Sequence, residues 1–289
     1  MSGGPARRLL PDGRRLHLQH GPIDLVIEAW GERAEIEAAY AQAWRRFATV
    51  LPELVAELPL LRRPADDAHP GLEGKVARRM FEACRRHRPA FLTPMAAVAG
   101  AVADEVLAAM LAGRRLARAY VNNGGDIAFH LAPGERLDIG LVADVARPAL
   151  AGSAGIVASW PVRGAATSGW RGRSFSLGIA DAATVLAEDG AAADAAATLV
   201  ANAVDVDHPA IRREPASARD DASDLGDRLV TMAVPALPPA LVEEALRRGG
   251  GVAAAMRARG LIFGAVLALQ GRLRVVGAVA PRLAPAPAG

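Results

Sequence analysis

The sequence predicts an α+β protein, with mixed α/β sheets flanked by helices. Three observations lead there. Stretches that alternate apolar and polar residues are interspersed with stretches of helical spacing, without the strict β-then-α order of a Rossmann fold or a TIM barrel. No internal repeat is visible. The chain has 289 residues, enough to bury a substantial core, and with 52% hydrophobic but only 4% aromatic residues that core must pack mainly through aliphatic side chains. This reading assigns one domain to residues 1–280 and a disordered, Pro/Ala-rich tail to residues 281–289.

Residues 14–30 read as a β-hairpin. Leu16 and Leu18 alternate with His17 and Gln19, His20-Gly21-Pro22 supplies the turn, and Ile23, Leu25, Ile27 and Ala29 share one face of the return strand. From Arg33 onward Ile36, Tyr40, Trp44, Phe47 and Leu51 recur at helical spacing, and Pro52 is expected to start a new turn or a kink. Residues 62–74 read as a loop and 75–87 as an amphipathic helix with Val76, Met80 and Cys84 inward. Cys84 is the only cysteine, so it is expected to be a packed thiol. Thr93 is a candidate cap, with Pro94 in the first turn, for an apolar helix over 95–112. Asp104 and Glu105 at its centre favour a buried helix over a membrane span.

Strands are expected at 118–122, 126–131, 137–143, 155–160 and 183–187, with a small-residue helix at 191–203. Residues 205–227 form a polar segment too long for an ordinary connection. Helices at 238–248 and 252–259 follow. A hairpin of 261–269 and 273–279 around Gln270-Gly271-Arg272 closes the fold.

Net charge is +3, from 34 basic and 31 acidic side chains, a balance that gives no charge-based reason to expect nucleic-acid binding. The N-terminal residues lack the apolar run of a signal peptide, so a soluble, cytoplasmic protein with no membrane partner is expected. Lys75 is the only lysine, so any lysine chemistry has that residue alone to draw on.

Three clusters carry candidate chemistry. Asn122, Asn123, Gly124, Gly125 and Asp126 lie between two strands, where paired glycines let backbone approach a ligand and accept positive φ; taken alone they are also an ordinary tight turn. Thr167, Ser168 and Gly169 offer hydroxyls and exposed amides suited to a phosphate or carboxylate, or simply form a polar loop. Asp194 and Thr198 are four residues apart on one helix face, where a carboxylate and a hydroxyl can both reach a hard cation such as Mg²⁺; Asp194 near a helix N-terminus is equally a favourable dipole partner. The aspartates of 205–227 with His208 are a candidate second metal site or a solvated loop, and His130 is a candidate cleft residue or a structural histidine.

In sequence these clusters resemble the successive motifs of the ApbE family of FAD-dependent flavin transferases. Ala99-Gly100-Ala101-Val102-Ala103-Asp104 is similar to the family's A-K-G-Y-A-V-D start of a helix, with Asp104 in register. Asn123-Gly124-Gly125-Asp126 resembles its glycine–aspartate strand turn, Thr167-Ser168-Gly169 its threonine-serine-glycine loop, and Asp194-Ala195-Ala196-Ala197-Thr198 its D-A-L-A-T metal motif. The matches span roughly residues 90–205. The resemblance implies an ApbE-like fold with FAD and Mg²⁺ as cofactors. It implies Asp194, Thr198 and a main-chain carbonyl near Ala96 as metal ligands, and transfer of FMN to an acceptor protein. Asn123, Gly124, Gly125, Asp126, Thr167, Ser168 and Gly169 would contact the nucleotide.

Two departures stand out. Residues 174–181 contain neither the histidine nor the Asp-Pro of flavin-transferring members, and Ala99 stands where a lysine is usual. Residues 223–231 resemble a distinct ApbE-like branch. The alternatives are therefore a non-catalytic module for a flavin, pterin or related heterocycle, or an enzyme acting on another substrate in the same pocket. A homodimer is a further expectation.

Overall fold

The structure, a computed structural model, describes residues 3–66, 71–146, 150–279 and 282–283. In chain order the elements are β1 (Ala6–Leu9), β2 (Leu16–His20), β3 (Ile23–Gly31), α1 (Arg33–Leu61), α2 (Lys75–Arg85), α3 (Val98–Leu111), β4 (Leu116–Asn123), β5 (Asp126–Leu131), β6 (Arg136–Val142) and β7 (Leu150–Val157). Then come β8 (Gly164–Ser168), β9 (Ala182–Ala187), α4 (Gly190–Ala203), β10 (Arg212–Pro215), β11 (Leu229–Ala233), α5 (Pro239–Ala258), β12 (Gly264–Leu269), β13 (Arg272–Gly277) and β14 (Arg282–Leu283). The mixture of helices and sheets is the expected fold class. By its internal contacts the folded chain divides into two compact units. The first comprises Met1–Arg136, Val157–Ala166 and Ala187–Ala195; the second comprises Leu137–Ile156, Thr167–Leu186 and Ala196–Gly289.

The first unit is built on antiparallel strands in the order β1-β2-β3-β4-β5, with the start of β8 paired to β5 through Ile127 and Ala165. Period-two alternation puts Leu16, Leu18, Leu25 and Ile27 on the buried face. Helix α1 buries Ala39, Ala43, Phe47, Val50 and Leu54, a helical repeat. Helix α3 is buried almost all round and packs on α1, α2, β4 and β5. It lies in Pro94–Leu111, a stretch long and apolar enough to cross a membrane by length and composition, of which 61% is buried in the protein. Cys84 is buried and its thiol donates to the Thr93 carbonyl, 3.2 Å away.

The second unit holds a sheet of order β9-β12-β13, a two-stranded β10-β11 ribbon and a sheet of order β14-β7-β6. Helix α5 packs on β12 and β13.

Several expectations at the level of single elements are corrected. Helix α1 runs unbroken through Pro52 and Pro59. Buried Phe47 and Val50 before Pro52, and Leu54 and Leu61 after it, hold the helix together despite the lost amide donor. Thr93 sits at the start of a 3-10 turn, Pro94–Ala97, without a side-chain cap bond, and α3 begins only at Val98. The two C-terminal helices are one, because Gly249 closes against Val204 and Leu267, and Gly250 against Arg274. A β-carbon at either position would fall within 3 Å of those side chains, so packing overrides the low helix propensity of glycine. Strand β1 precedes the expected hairpin, and β10 lies inside the polar segment. In the region of the expected tail, Arg282 and Leu283 pair with β7; the rest of 281–289 lies outside the described residues.

Candidate functional site

In the first unit the site begins with two helix N-termini that exchange carboxylates. Ala97, at φ −126° and ψ 13°, joins the 3-10 turn to α3; the Val98 amide donates back to the Met95 carbonyl, and the Ala99 and Gly100 amides that follow look outside the helix for acceptors. The Gly100 amide donates to Asp194 Oδ2 at 3.0 Å, and the Ala99 amide also bonds to Asp194. In return Asp104, within α3, accepts from the Gly190 and Ala191 amides of α4, each at 2.9 Å. Asp189 adds a cap of its own by accepting from the Ala192 amide at 2.8 Å. Each helix thus supplies the carboxylate that satisfies the other.

The exchange needs close approach. A β-carbon on Gly100 would lie 2.1 Å from the Gly190 carbonyl oxygen, and one on Gly190 would lie 2.9 Å from that of Gly100. The small residues Ala191–Ala193 and Ala195–Ala197 are buried and allow the same proximity along α4.

A carboxylate at a helix N-terminus ordinarily has a lowered pKa. Here the balance goes the other way. Burial, then the nearby Asp189 charge, pushes Asp104 up from 3.8 to about 7, against the two amide bonds and Arg79. Asp194 keeps some accessible surface, yet burial by its surroundings and then the charge of Asp126 raise its pKa well above the usual carboxylate range. The charges of Asp126 and Asp104 thus both act on the Asp194 carboxyl.

Gly124 and Gly125 form the two-residue turn between β4 and β5, with φ of 66° and 115°, closed by the Asn123–Asp126 pair. Positive φ at both positions is the backbone of a type I′ hairpin and explains the glycines directly. The Gly125 amide donates to Asn122 Oδ1 at 2.8 Å. Buried Asn123 reaches across to the Ala99 carbonyl at 3.1 Å, tying the turn to the start of α3. The Ala96 amide donates to the Thr93 carbonyl, and Ala96 itself is half-buried. Open space surrounds the β-carbon position of Gly125, so Gly125→Ala tests backbone strain alone. It is expected to lower stability by about 1–3 kcal/mol in urea unfolding, more than Gly124→Ala, whose φ lies in the ordinary left-handed region.

In the second unit Thr167 and Ser168 end β8, which is a strand rather than the expected loop. Thr167 and Thr184 hydroxyls are 2.8 Å apart. Gly169 is required by proximity: a β-carbon there would meet the Asp181 carbonyl oxygen at 2.5 Å. Asp181 itself accepts from Trp170 Nε1 at 3.2 Å and from the Gln270 amide at 2.6 Å. Thr198, four residues after Asp194 on α4, is partly exposed.

The structure thus joins Asn123, Asp194 and the start of α3 by hydrogen bonds and places Asp126 close enough to perturb Asp194. His130, on β5, has its pKa lowered by burial, with the Leu116 main chain bonded to its ring. The polar segment pairs Asp205 with Arg213 and Ser217 with Asp227. Among the described residues, no group of three or more His, Cys, Asp or Glu side chains could hold a metal. Sequence reasoning passed over Asp181 and Asp189. Asp189 directly precedes a small-residue helix and carried a legible capping signal; Asp181 carried none, because its partners come from distant segments.

A mixed α/β protein whose helices α3 and α4 exchange carboxylates at their N-termini, with a glycine turn tied to the start of α3, defines a class by fold and site. Its sequence places it further. Residues 7–275 match the family described as AbpE bacteria, and the chain belongs to that ApbE family. It is 36% identical over 165 residues to a UPF0280 protein of Methanopyrus kandleri, covering 56% of this chain and 64% of that one. It is 38% identical over 168 residues to one of Methanothrix thermoacetophila, covering 55% and 65%. A UPF0280 protein of Methanosphaerula palustris is 36% identical over 192 residues, covering 66% and 77%. The chain thus spans less than two thirds of the length of the first two of these relatives. The crystal structure of the ApbE protein of Thermotoga maritima aligns over 96% of this chain and 97% of its own, with a TM-score of 0.43 and 13% identity.

Proposed function

We propose that this protein binds a flavin nucleotide, FAD, together with Mg²⁺, and that Asp194 and Thr198 with the main chain near Ala96 hold the cation. One observation carries the reading: the Asp194 carboxyl is pushed well above its usual range beside Asp126 and Asp104, at a helix N-terminus. A carboxyl so placed takes either a proton or a cation. The donor set of carboxylate, hydroxyl and carbonyl oxygen suits a hard divalent ion. Bound there, Mg²⁺ would offset the charge of the FAD diphosphate. The α3 amides of Ala99 and Gly100 hold the Asp194 carboxylate in place. Asn123 fixes the Gly124-Gly125 turn beside them, leaving Asp126 at its edge. Thr167, Ser168 and Gly169 are assigned to the nucleotide in the same reading.

If transfer occurs, an acceptor hydroxyl oxygen forms a bond to the FMN phosphorus, its proton passes to a base, and the diphosphate P–O bond breaks with AMP leaving. A specific observation favours binding without transfer. Residues 174–181 contain no histidine, and their only acid, Asp181, commits both oxygens to Trp170 and Gln270. A cytoplasmic location and an acceptor protein belong to this proposal.

The test is titration calorimetry of FAD with and without Mg²⁺, on wild type and Asp194→Asn, which keeps an acceptor for the α3 amides. Mg²⁺-dependent binding, weakened at least about ten-fold in the variant, is the expected outcome. Absence of FAD binding in both conditions would sink the reading. Chromatography of the incubated mixture then separates the two versions: AMP marks transfer or hydrolysis, and intact FAD marks a binding module.

A further inference from the structure

A recess of 1170 Å³ opens in the first unit between α1, α2, α3 and residues 71–74. It lies along the later part of α3, lined there by Glu105, Ala108, Ala109 and Ala112, and not at the helix start that carries the flavin reading. All but one of its charged side chains fall into two sets. One set is internally committed. Arg46 is forked onto Glu53, with bonds of 2.8 and 2.7 Å, and bonds to Glu105 at 2.8 Å. Glu57 accepts from the amides of Glu73 and Gly74, at 2.6 and 3.1 Å, just ahead of α2.

The second set is Lys75 and Arg79, four residues apart and therefore on one face of α2. Lys75 is exposed and, among the described residues, forms no ion pair within 4 Å, though its charge acts on Glu53, which Arg46 already holds. Arg79 has carboxylates nearby but no bond to them: Asp104 and Glu105 each stand 3.9 Å from its terminal nitrogens. That is beyond hydrogen-bond reach. Its Nε is buried with no partner. Arg79 lines the recess with its side chain 35% exposed, and its guanidinium, not hydrogen-bonded within the protein among the described residues, can donate to an incoming acceptor. Helix α2 also opens at Gly74 without a side-chain cap.

We infer that this recess binds a small carboxylic acid with an apolar body, its carboxylate seated on the Arg79 fork with Lys75 beside it. A planar carboxylate matches the guanidinium edge with two parallel bonds. A singly charged group is favoured over a phosphate dianion, because Asp104 and Glu105 already stand near Arg79. Ala56, Ala108, Ala109 and Ala112 line the recess with small apolar groups that can take the rest of the molecule. Exposed Glu73 is the remaining uncommitted charge of the lining, and it opposes the ligand. None of this depends on the flavin reading.

The experiment is an NMR titration of the full chain with acetate, butyrate and inorganic phosphate in turn, at constant ionic strength. Saturable binding is expected in the order butyrate, acetate, phosphate. Arg79→Gln should weaken butyrate by about ten-fold and Lys75→Gln by about three-fold, while Glu73→Gln strengthens it. Lys75 and Glu73 are exposed, so their variants keep the test readable if Arg79→Gln fails to fold. No saturable binding of any probe, or binding indifferent to both Lys75→Gln and Glu73→Gln, would overturn the inference. Phosphate binding tighter than butyrate would overturn the carboxylate assignment.

Discussion

Replacing Gly100 with alanine is expected to destabilise the protein by about 3 kcal/mol or more, in urea unfolding followed by circular dichroism. The added β-carbon would lie 2.1 Å from the Gly190 carbonyl oxygen, 2.4 Å from its carbon and 2.8 Å from the Ala191 nitrogen. These are main-chain atoms, and they belong to the turn whose amides Asp104 holds. No side-chain rotation relieves the clash, so α3 and α4 must separate and both carboxylate exchanges lengthen. Gly190→Ala should be milder, because its β-carbon would meet the Gly100 oxygen at 2.9 Å and Asp104 Oδ1 at 3.1 Å. Equal urea midpoints for wild type and Gly100→Ala would show that the two helices do not pack this closely.

Asp104→Ala is expected to lower stability by about 2–4 kcal/mol, since it leaves the Gly190 and Ala191 amides without their acceptor. Asp104→Asn separates that role from charge. The folded pKa of Asp104, about 7, lies above the ordinary 3.8, so between those values the native protein binds more protons than the unfolded chain. The group's contribution is therefore complete below about pH 3.8 and is lost as pH rises through 7. With EDTA present, the wild-type urea midpoint should fall from pH 5 to pH 8 by more than that of Asp104→Asn. A wild-type midpoint that rises across this interval no less steeply than the variant's would contradict the raised pKa.

The sequence made the long periodic elements legible. The hairpin around Gly21, α1, α2 and the β12–β13 pair all follow from side-chain spacing. Strand β8 was hidden because Gly164, Ala165, Ala166, Thr167 and Ser168 have neither alternation nor bulk. Its small residues suit close packing: a β-carbon on Gly164 would lie 2.0 Å from the Asp189 main chain. The glycine turn at Gly124-Gly125 was legible as a turn, and its positive φ values supply the reason. The pairing of Asp104 with α4 and of Asp194 with α3 was not, because no local pattern states which distant amide a carboxylate will meet. Asp194 stood out in the sequence through its spacing from Thr198, whereas its hold on Gly100 comes from tertiary packing.

The crossed carboxylates also bear on how the chain folds. Gly100 and Asp194 are 94 residues apart, and Asp104 and Gly190 are 86 apart. Asp189 serves the Ala192 amide locally, but the Gly190 and Ala191 amides, like those of Ala99 and Gly100, meet their carboxylates only across that distance. Both sets of amides wait for closure of the same long loop, whose entropy must be overcome before either leaves water. The two N-termini therefore form, and open, as a single cooperative event.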